Sequence, residues 1–278
     1  MKAVIVAAWL SINKFDVTIP ARVAPTPVRA SVVVKARPAR KLVWSDEFKK
    51  PGLPDSAKWA YEVGGNGWGN NERQFYTRQR PENARIENGK LIIEARKEAY
   101  QGHEYTSARL LTRGKTTWTY GRIEAKAKLP KGTGTWPAVW MLGNNIATVG
   151  WPKGGEIDIM EHVGFDEGVI HGTVHTEAYN HNKHTQKGQA VTVNDVTTAF
   201  HLYAIEWTPD RIDFFVDQQN YYSVQKADLG SVEAQWPFDQ PFYLLLNLAV
   251  GGNWGGQKGV DETIWPQRME VDYVRVYQ

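Results

Sequence analysis

Three acidic residues, Glu156, Asp158 and Glu161, fall within six positions of an otherwise apolar run, GGEIDIMEHVG over residues 154–164. Carboxyls set close together on an apolar background suit reactions in which one group attacks and another carries a proton. In a regular strand, side chains alternate between faces. Glu156 and Asp158 therefore share a face, while Glu161, an odd number of positions from both, points the other way. A one-residue bulge near Ile159 or Met160 resets the alternation and turns all three to one side. With one residue absorbed, Glu156 and Glu161 stand four strand steps apart, about 13 Å between backbones. Side chains leaning together by about 4 Å each bring the carboxyls to about 5 Å, the separation of retaining rather than inverting glycoside cleavage. Glu156 is then the expected nucleophile, held ionised by hydrogen bonds, and Glu161 the acid/base, its pKa raised by its neighbours. Asp158 lies between them, orienting the nucleophile and sharing a proton with it. His175, in the run HGTVHT, is the expected neighbour on the adjacent strand.

A bland reading of the same run is costly. Three buried acids without partners would destabilise a strand by several kcal/mol, and only His162 offers a local cation. Acids at alternating positions also suit calcium, but calcium loops interleave Gly, Asn and backbone carbonyls, whereas this run is apolar between its acids. The chain has no cysteine, so a thiol nucleophile, a thiolate zinc cluster and a disulfide framework are excluded.

The elements that must position these acids read as short β-prone runs separated by Gly, Pro, Asn and Asp, the pattern of an antiparallel sandwich or barrel. Residues 91–96 alternate after the Asn88-Gly89 turn, residues 201–208 and 211–217 form a hairpin about Pro209-Asp210, and residues 271–277 make a closing strand. Residues 55–59 and 195–200 each suit a helical turn, and no long stretch carries a 3.6-residue period. Twelve Trp and twelve Tyr are a heavy load for a sandwich. About half of these rings are expected in the core. The rest sit beside Gly, Asn and Arg in GGNGWGNNE (64–72), GTWPAVWML (134–142) and GGNWGG (251–256), where exposed rings and amides suit sugar faces and hydroxyls.

The 278 residues suffice for one large domain. The formal charge is +3, but residues 1–40 hold seven Lys or Arg against one Asp, leaving −3 on the remaining 238. The basic excess sits in a Pro-punctuated leader or linker, so a nucleic-acid footprint is not expected. Lys2 and the apolar run behind it resemble the start of a secretory signal, too short to span a membrane and without a clear cleavage site. The domain boundary is placed near residue 41, giving a leader over 1–40 and a catalytic domain over 41–278.

The acid run resembles the E-x-D-x-x-E signature of glycoside hydrolase family 16, in the bulged form of laminarinases. The resemblance extends from about Trp44 to Gln278. It includes WSDEF (44–48), the GGNGWGNNE loop, SARLLTRG (107–114), GTWPAVWML, HGTVHT (171–176), the NLAVGGNWGG run from Asn247 and the closing VDYVRVY. What the resemblance implies is an all-β jelly-roll sandwich of two curved antiparallel sheets with an open concave groove. The implied activity is internal cleavage of β-1,3 bonds in laminarin or curdlan, and of mixed-linkage β-1,3-1,4-glucan beside them. It implies glucosyl contacts at Asn70, Arg109, Trp136, Trp140, His175 and Trp254. It further implies a structural calcium on the convex face at Glu47, the Gly89 carbonyl and Asp272, with no cofactor for catalysis. Met160 reads as the residue that lichenases, with E-x-D-x-E, lack. A β-glucan recognition protein, which loses one or both glutamates, and a glucan transglycosylase are the alternatives. The expected protein is a secreted or periplasmic monomer whose partner is the polysaccharide, with no membrane and no nucleic acid.

Overall fold

The computed structural model describes residues 40–278; the leader expected over 1–40 lies, but for Arg40, outside the described residues. A seven-stranded sheet runs in the order Lys187–Thr192, Val169–His175, Glu156–Glu161, Thr135–Gly143, Phe242–Val250, Arg109–Leu111 and Ala60–Glu62, each neighbour antiparallel. A ten-stranded sheet follows the path Gln219–Gln225, Arg211–Val216, His201–Trp207, Gly121–Lys128, Gln267–Tyr277, Lys90–Tyr100, His103–Ser107 and Gln74–Tyr76. Leu42–Asp46 and Ala84–Glu87 pair beside that path. The pairing of Gln74–Tyr76 with His103–Ser107 is parallel, an exception to the otherwise antiparallel order. The result is the two-sheet, jelly-roll-like sandwich that the family resemblance implies, and one of the two antiparallel architectures, sandwich or barrel, that the strand pattern leaves open.

Local sequence explains the main pieces. Asn88 and Gly89 both have positive φ, 52° and 72°, as a two-residue turn of the mirror-image type requires, and Glu87 pairs with Lys90 across it. The hairpin about Pro209-Asp210 forms with Trp207 opposite Ile212. The closing strand is longer than expected, Gln267–Tyr277, because its first half also pairs with Lys90–Tyr100. Residues 55–59 make one helical turn, Trp59 N donating to Asp55 O at 2.8 Å, and Ala199 N does the same to Asp195 O at 2.8 Å. Two four-residue helices, Ile146–Val149 and Lys226–Leu229, were not legible in the pattern.

The core lies between the sheets. Alternation sends Leu244, Leu246 and Leu248 inward from one sheet and Ile123, Ala125 and Ala127 inward from the other, all essentially inaccessible. Burying each large side chain contributes about 1.5–3 kcal/mol. Of the described tryptophans, Trp59, Trp118, Trp207 and Trp236 are buried, and Trp44 and Trp265 pack against the same core. The other five, Trp68, Trp136, Trp140, Trp151 and Trp254, are only partly buried, whereas nine of the twelve Tyr are buried or packed against the core, so more of the rings are structural than the half expected.

Candidate active site

The acids sit on the outward face of the seven-stranded sheet because their strand is bulged. Against Thr135–Gly143 the register runs Glu156 to Leu142 and Asp158 to Trp140, then skips Ile159 and resumes with Met160 to Val139 and Glu161 to Ala138. The strand on the other side shows the same extra residue, Asp158 facing Thr173 and Glu161 facing His171. Ile159 is thus the unpaired residue on the Thr135–Gly143 side, rather than the Met160 suggested by the shorter family pattern. Ile159 and Met160 both enter the core, at 1% and 0% exposure, which keeps Glu161 outward. Two apolar residues in succession are what force the acid on the far side back to the face of the first two.

The cross-strand rows place the rest of the site. Through Glu161 the row reads Glu62, Arg109, Asn247, Ala138, Glu161, His171; the row two positions along carries Trp140, Asp158 and Thr173. Glu156 faces His175. Trp151 Nε1 donates to Glu156 Oε2 at 3.0 Å, and Trp136 Nε1 donates to Glu161 Oε1 at 3.0 Å. The Asp158 and Glu156 carboxyls share a hydrogen bond, and His175 Nε2 lies 3.3 Å from Asp158 Oδ2 and 3.8 Å from Glu156 Oε1.

No Lys or Arg pairs with any of the three acids among the described ion pairs; imidazole and indole N–H groups stand in instead. Burial pushes Glu156 up to about 8, with the Asp158 charge adding to it and His175 and the Trp151 donor opposing. Burial likewise pushes Glu161 up to about 7, opposed by His175 and the Trp136 donor. Asp158 is raised well above the usual carboxyl range by its burial and by Glu161. This corrects one expectation: hydrogen bonds do not hold Glu156 ionised in the free site, because one indole donor does not offset desolvation. The trio instead keeps protons among its members at neutral pH, and the Asp158–Glu156 hydrogen bond is a path for moving one.

The residues expected to hold sugar surround this row. Arg109 is buried between the Trp68 and Trp140 rings, 4.7 Å from each centroid, and its Nε lies 2.6 Å from Glu62 Oε2. Trp254 stands edge-on to Trp136 at 5.6 Å and to His171 at 4.9 Å. Asn70 has a different task as well: its carbonyl accepts from Asn253 N at 2.6 Å, tying the two glycine-rich loops together.

Several site residues escaped the sequence reading. Trp151 directly follows Gly150, five positions before Glu156, the same aromatic-beside-glycine signal that flagged the other loops. Asn247 accepts from Trp140 Nε1 at 2.7 Å and donates to Tyr76 Oη at 3.0 Å, whose hydroxyl reaches Glu72 Oε2 at 3.2 Å. Burial raises the Glu72 carboxyl, against hydrogen bonds from Gln74, Tyr76 and Asn70. Nothing local marks such a chain, because its members lie 171 positions apart.

Glu47, Gly89 and Asp272 converge, but not as free donors. Asp46 pairs with Val274 and Val271 with Leu91, which draws Glu47, just past the end of its strand, and the Gly89 turn towards Asp272 in the middle of the closing strand. Asp272 is the residue the register skips between Val271 and Tyr273. Yet both Glu47 oxygens accept from Arg275, at 2.9 and 2.8 Å, and Asp272 Oδ2 lies 2.9 Å from Lys126 Nζ. The oxygen chemistry suits a hard cation, but both carboxylates are already turned to side-chain cations.

The raised carboxyls bear on stability. With folded values near 7 and 8 against an unfolded value of about 4.3, the folded chain holds more protons across that window. Stability is therefore fully present below about pH 4, falls as pH rises through 7–8, and is level above. Glu156→Gln and Glu161→Gln are expected to be more stable than the parent at pH 8.5, on the order of 1–3 kcal/mol. The gain should vanish at pH 4, read by urea denaturation at both pH values.

Comparison with known proteins agrees with this geometry. A β-glucanase of Rhodothermus marinus is 59% identical over 246 residues, covering 87% of this chain and 86% of its own. The crystal structure of a laminarinase from Rhodothermus marinus superposes with a TM-score of 0.84 at 59% identity, over 86% of this chain and 98% of that one. A non-specific endo-β-1,3(4)-glucanase, solved with 1,3-β-D-cellobiosyl-glucose at its active site, superposes with a TM-score of 0.83 at 50% identity, over 87% and 96% of the two chains. Residues 71–275 match the sequence profile of "Glycosyl hydrolases family 16". With the bulged acid strand, the two-sheet fold and that match in hand, the chain belongs to glycosyl hydrolase family 16.

Proposed function

We propose that this chain is a retaining endo-hydrolase of internal β-1,3-glucosidic bonds in laminarin- and curdlan-type glucans, with mixed-linkage β-1,3-1,4-glucan as a further substrate. The observation that carries the reading is the bulge at Ile159, which turns Glu156, Asp158 and Glu161 to one face beside a row of indoles and Arg109. The relatives named laminarinase and endo-β-1,3(4)-glucanase support the substrate class.

In the proposed cycle, Glu156 attacks the anomeric carbon while the glycosidic C–O bond breaks and Glu161 passes its proton to the departing oxygen. A carboxyl near 7 is protonated enough at neutral pH to do so. Glu156 must first be ionised, and its hydrogen bond to Asp158 lets the proton rest on the aspartate as negative charge leaves the nucleophile for the new bond. Water then attacks the anomeric carbon, Glu161 takes up the water's proton, and the ester C–O bond to Glu156 breaks to return the free carboxylate. Trp136, Trp140 and Trp254 offer rings to pyranose faces, and Arg109, clamped by two indoles, presents its guanidinium to hydroxyls. The polymer lies outside cells, and we place the enzyme there, acting as a monomer.

Glu156→Ser is expected to lower reducing-sugar release from laminarin by at least about 10³-fold, and proton NMR of the earliest parent products should show the β-anomer. Retained turnover or an α-anomer first would remove the assignment. Deleting Ile159 is expected to leave laminarin hydrolysis measurable, since the acids then stand two apart in an unbulged strand and still share a face. Inserting an alanine after Ile159 should abolish it, with both variants checked for a cooperative melt. A structural calcium at Glu47, Gly89 and Asp272 is part of the proposal only if it displaces Arg275 and Lys126. The melting temperature should then rise by a few degrees with added calcium and fall with chelator, and an unmoved melt would remove the ion.

A further inference from the structure

We infer that Glu156, Asp158 and His175 form a binding site for a borderline-soft divalent transition ion such as Zn²⁺, which blocks the groove by occupying the acids the reaction uses. The site is the one described above, and its proposed inhibitory role rests on the proposed hydrolase reading.

One ligand atom from each residue lies within 4.8 Å of the others. Two ligands about 2.1 Å from a tetrahedral ion stand about 3.4 Å apart. His175 Nε2 is 3.3 Å from Asp158 Oδ2 and 3.8 Å from Glu156 Oε1, so small side-chain adjustments close the set. An acidic cluster alone would say little, but a second feature points to a ligand. Asp158 Oδ2, in a residue 2% exposed, accepts no hydrogen bond, since the nearby imidazole is misaligned for one. A buried carboxyl met only by its neighbouring acid is costly to ionise, and a cation bound there would remove that cost. Trp151 holds Glu156 Oε2, which leaves Oε1 as the oxygen nearest His175. Imidazole with two carboxylates suits zinc or copper rather than calcium, which takes six to eight oxygens. An ion so placed takes up the oxygen with which Glu156 would attack.

The test is titration of zinc chloride into the full chain by calorimetry, which needs no turnover. One ion per chain is expected to bind. Asp158→Asn and His175→Ala should each weaken it about tenfold or more, while His184→Ala, at an exposed histidine, should not. Asp158→Asn keeps the side-chain shape, so the result stands even where His175→Ala fails to fold. Absence of binding by about 1 mM, or binding untouched by both substitutions, would overturn the site. In laminarin assays zinc should raise the apparent KM and spare kcat; a fall in kcat alone would overturn the blocking role. Zinc bound as described by a chain that does not hydrolyse laminarin would leave the site standing and sink the hydrolase reading.

Discussion

The desolvation of three carboxyls on one strand is the constraint around which this molecule is built. Taking an ionised carboxylate out of water costs several kcal/mol unless a cation or several donors meet it. The outward face of the ten-stranded sheet shows how the same chain solves that problem elsewhere. There Glu94 meets Arg85 and Arg96, Glu124 meets Arg122, Asp213 meets Arg211, and Glu270 meets Lys128 and Arg268, all with acids less than a tenth exposed. On the face of the seven-stranded sheet the acids receive two indole N–H groups and one histidine instead. Protons therefore stay where a fully paired site would have released them, and a proton available near neutral pH is what general acid chemistry needs.

The rows of the seven-stranded sheet explain why the binding groups fall in place around those acids. Antiparallel register sets Arg109 and Asn247 in line with Glu161, and Trp140 in line with Asp158, so four strands distant in sequence deliver one surface. The ladder fixes backbone positions, and a second layer of contacts fixes side chains. The Trp68 and Trp140 rings clamp Arg109, and Asn247 ties Trp140 to Tyr76 and Glu72. Such rigidity favours binding by lowering the ordering cost that flexible side chains would otherwise impose.

Much of this was legible beforehand for a local reason. Strand alternation, the Asn88-Gly89 turn and the hairpin at Pro209-Asp210 depend on neighbours a few residues apart, and they appear as read. The need for a bulge followed from parity alone, since acids at odd spacing cannot share a face otherwise. Parity does not say which residue is skipped, and the cross-strand register settles on Ile159. The family resemblance implies metal donors at the carboxylates of Glu47 and Asp272, and their partners Arg275 and Lys126 are visible only once strand pairing brings them within 3 Å.

The amino-acid sequence by itself determined the sandwich class, the acid strand and its kink, and the aromatic loops, because each of these is written in spacing along one segment. The tertiary structure alone decided where protons reside and what each acid touches. The pKa of Glu156 depends on how much water the fold excludes and on how near Asp158, His175 and the Trp151 N–H come to it, and the clamp on Arg109 on rings 41 and 31 positions away. Electrostatics in a folded protein is set by burial and by distances through space, and neither quantity exists until the chain has closed on itself.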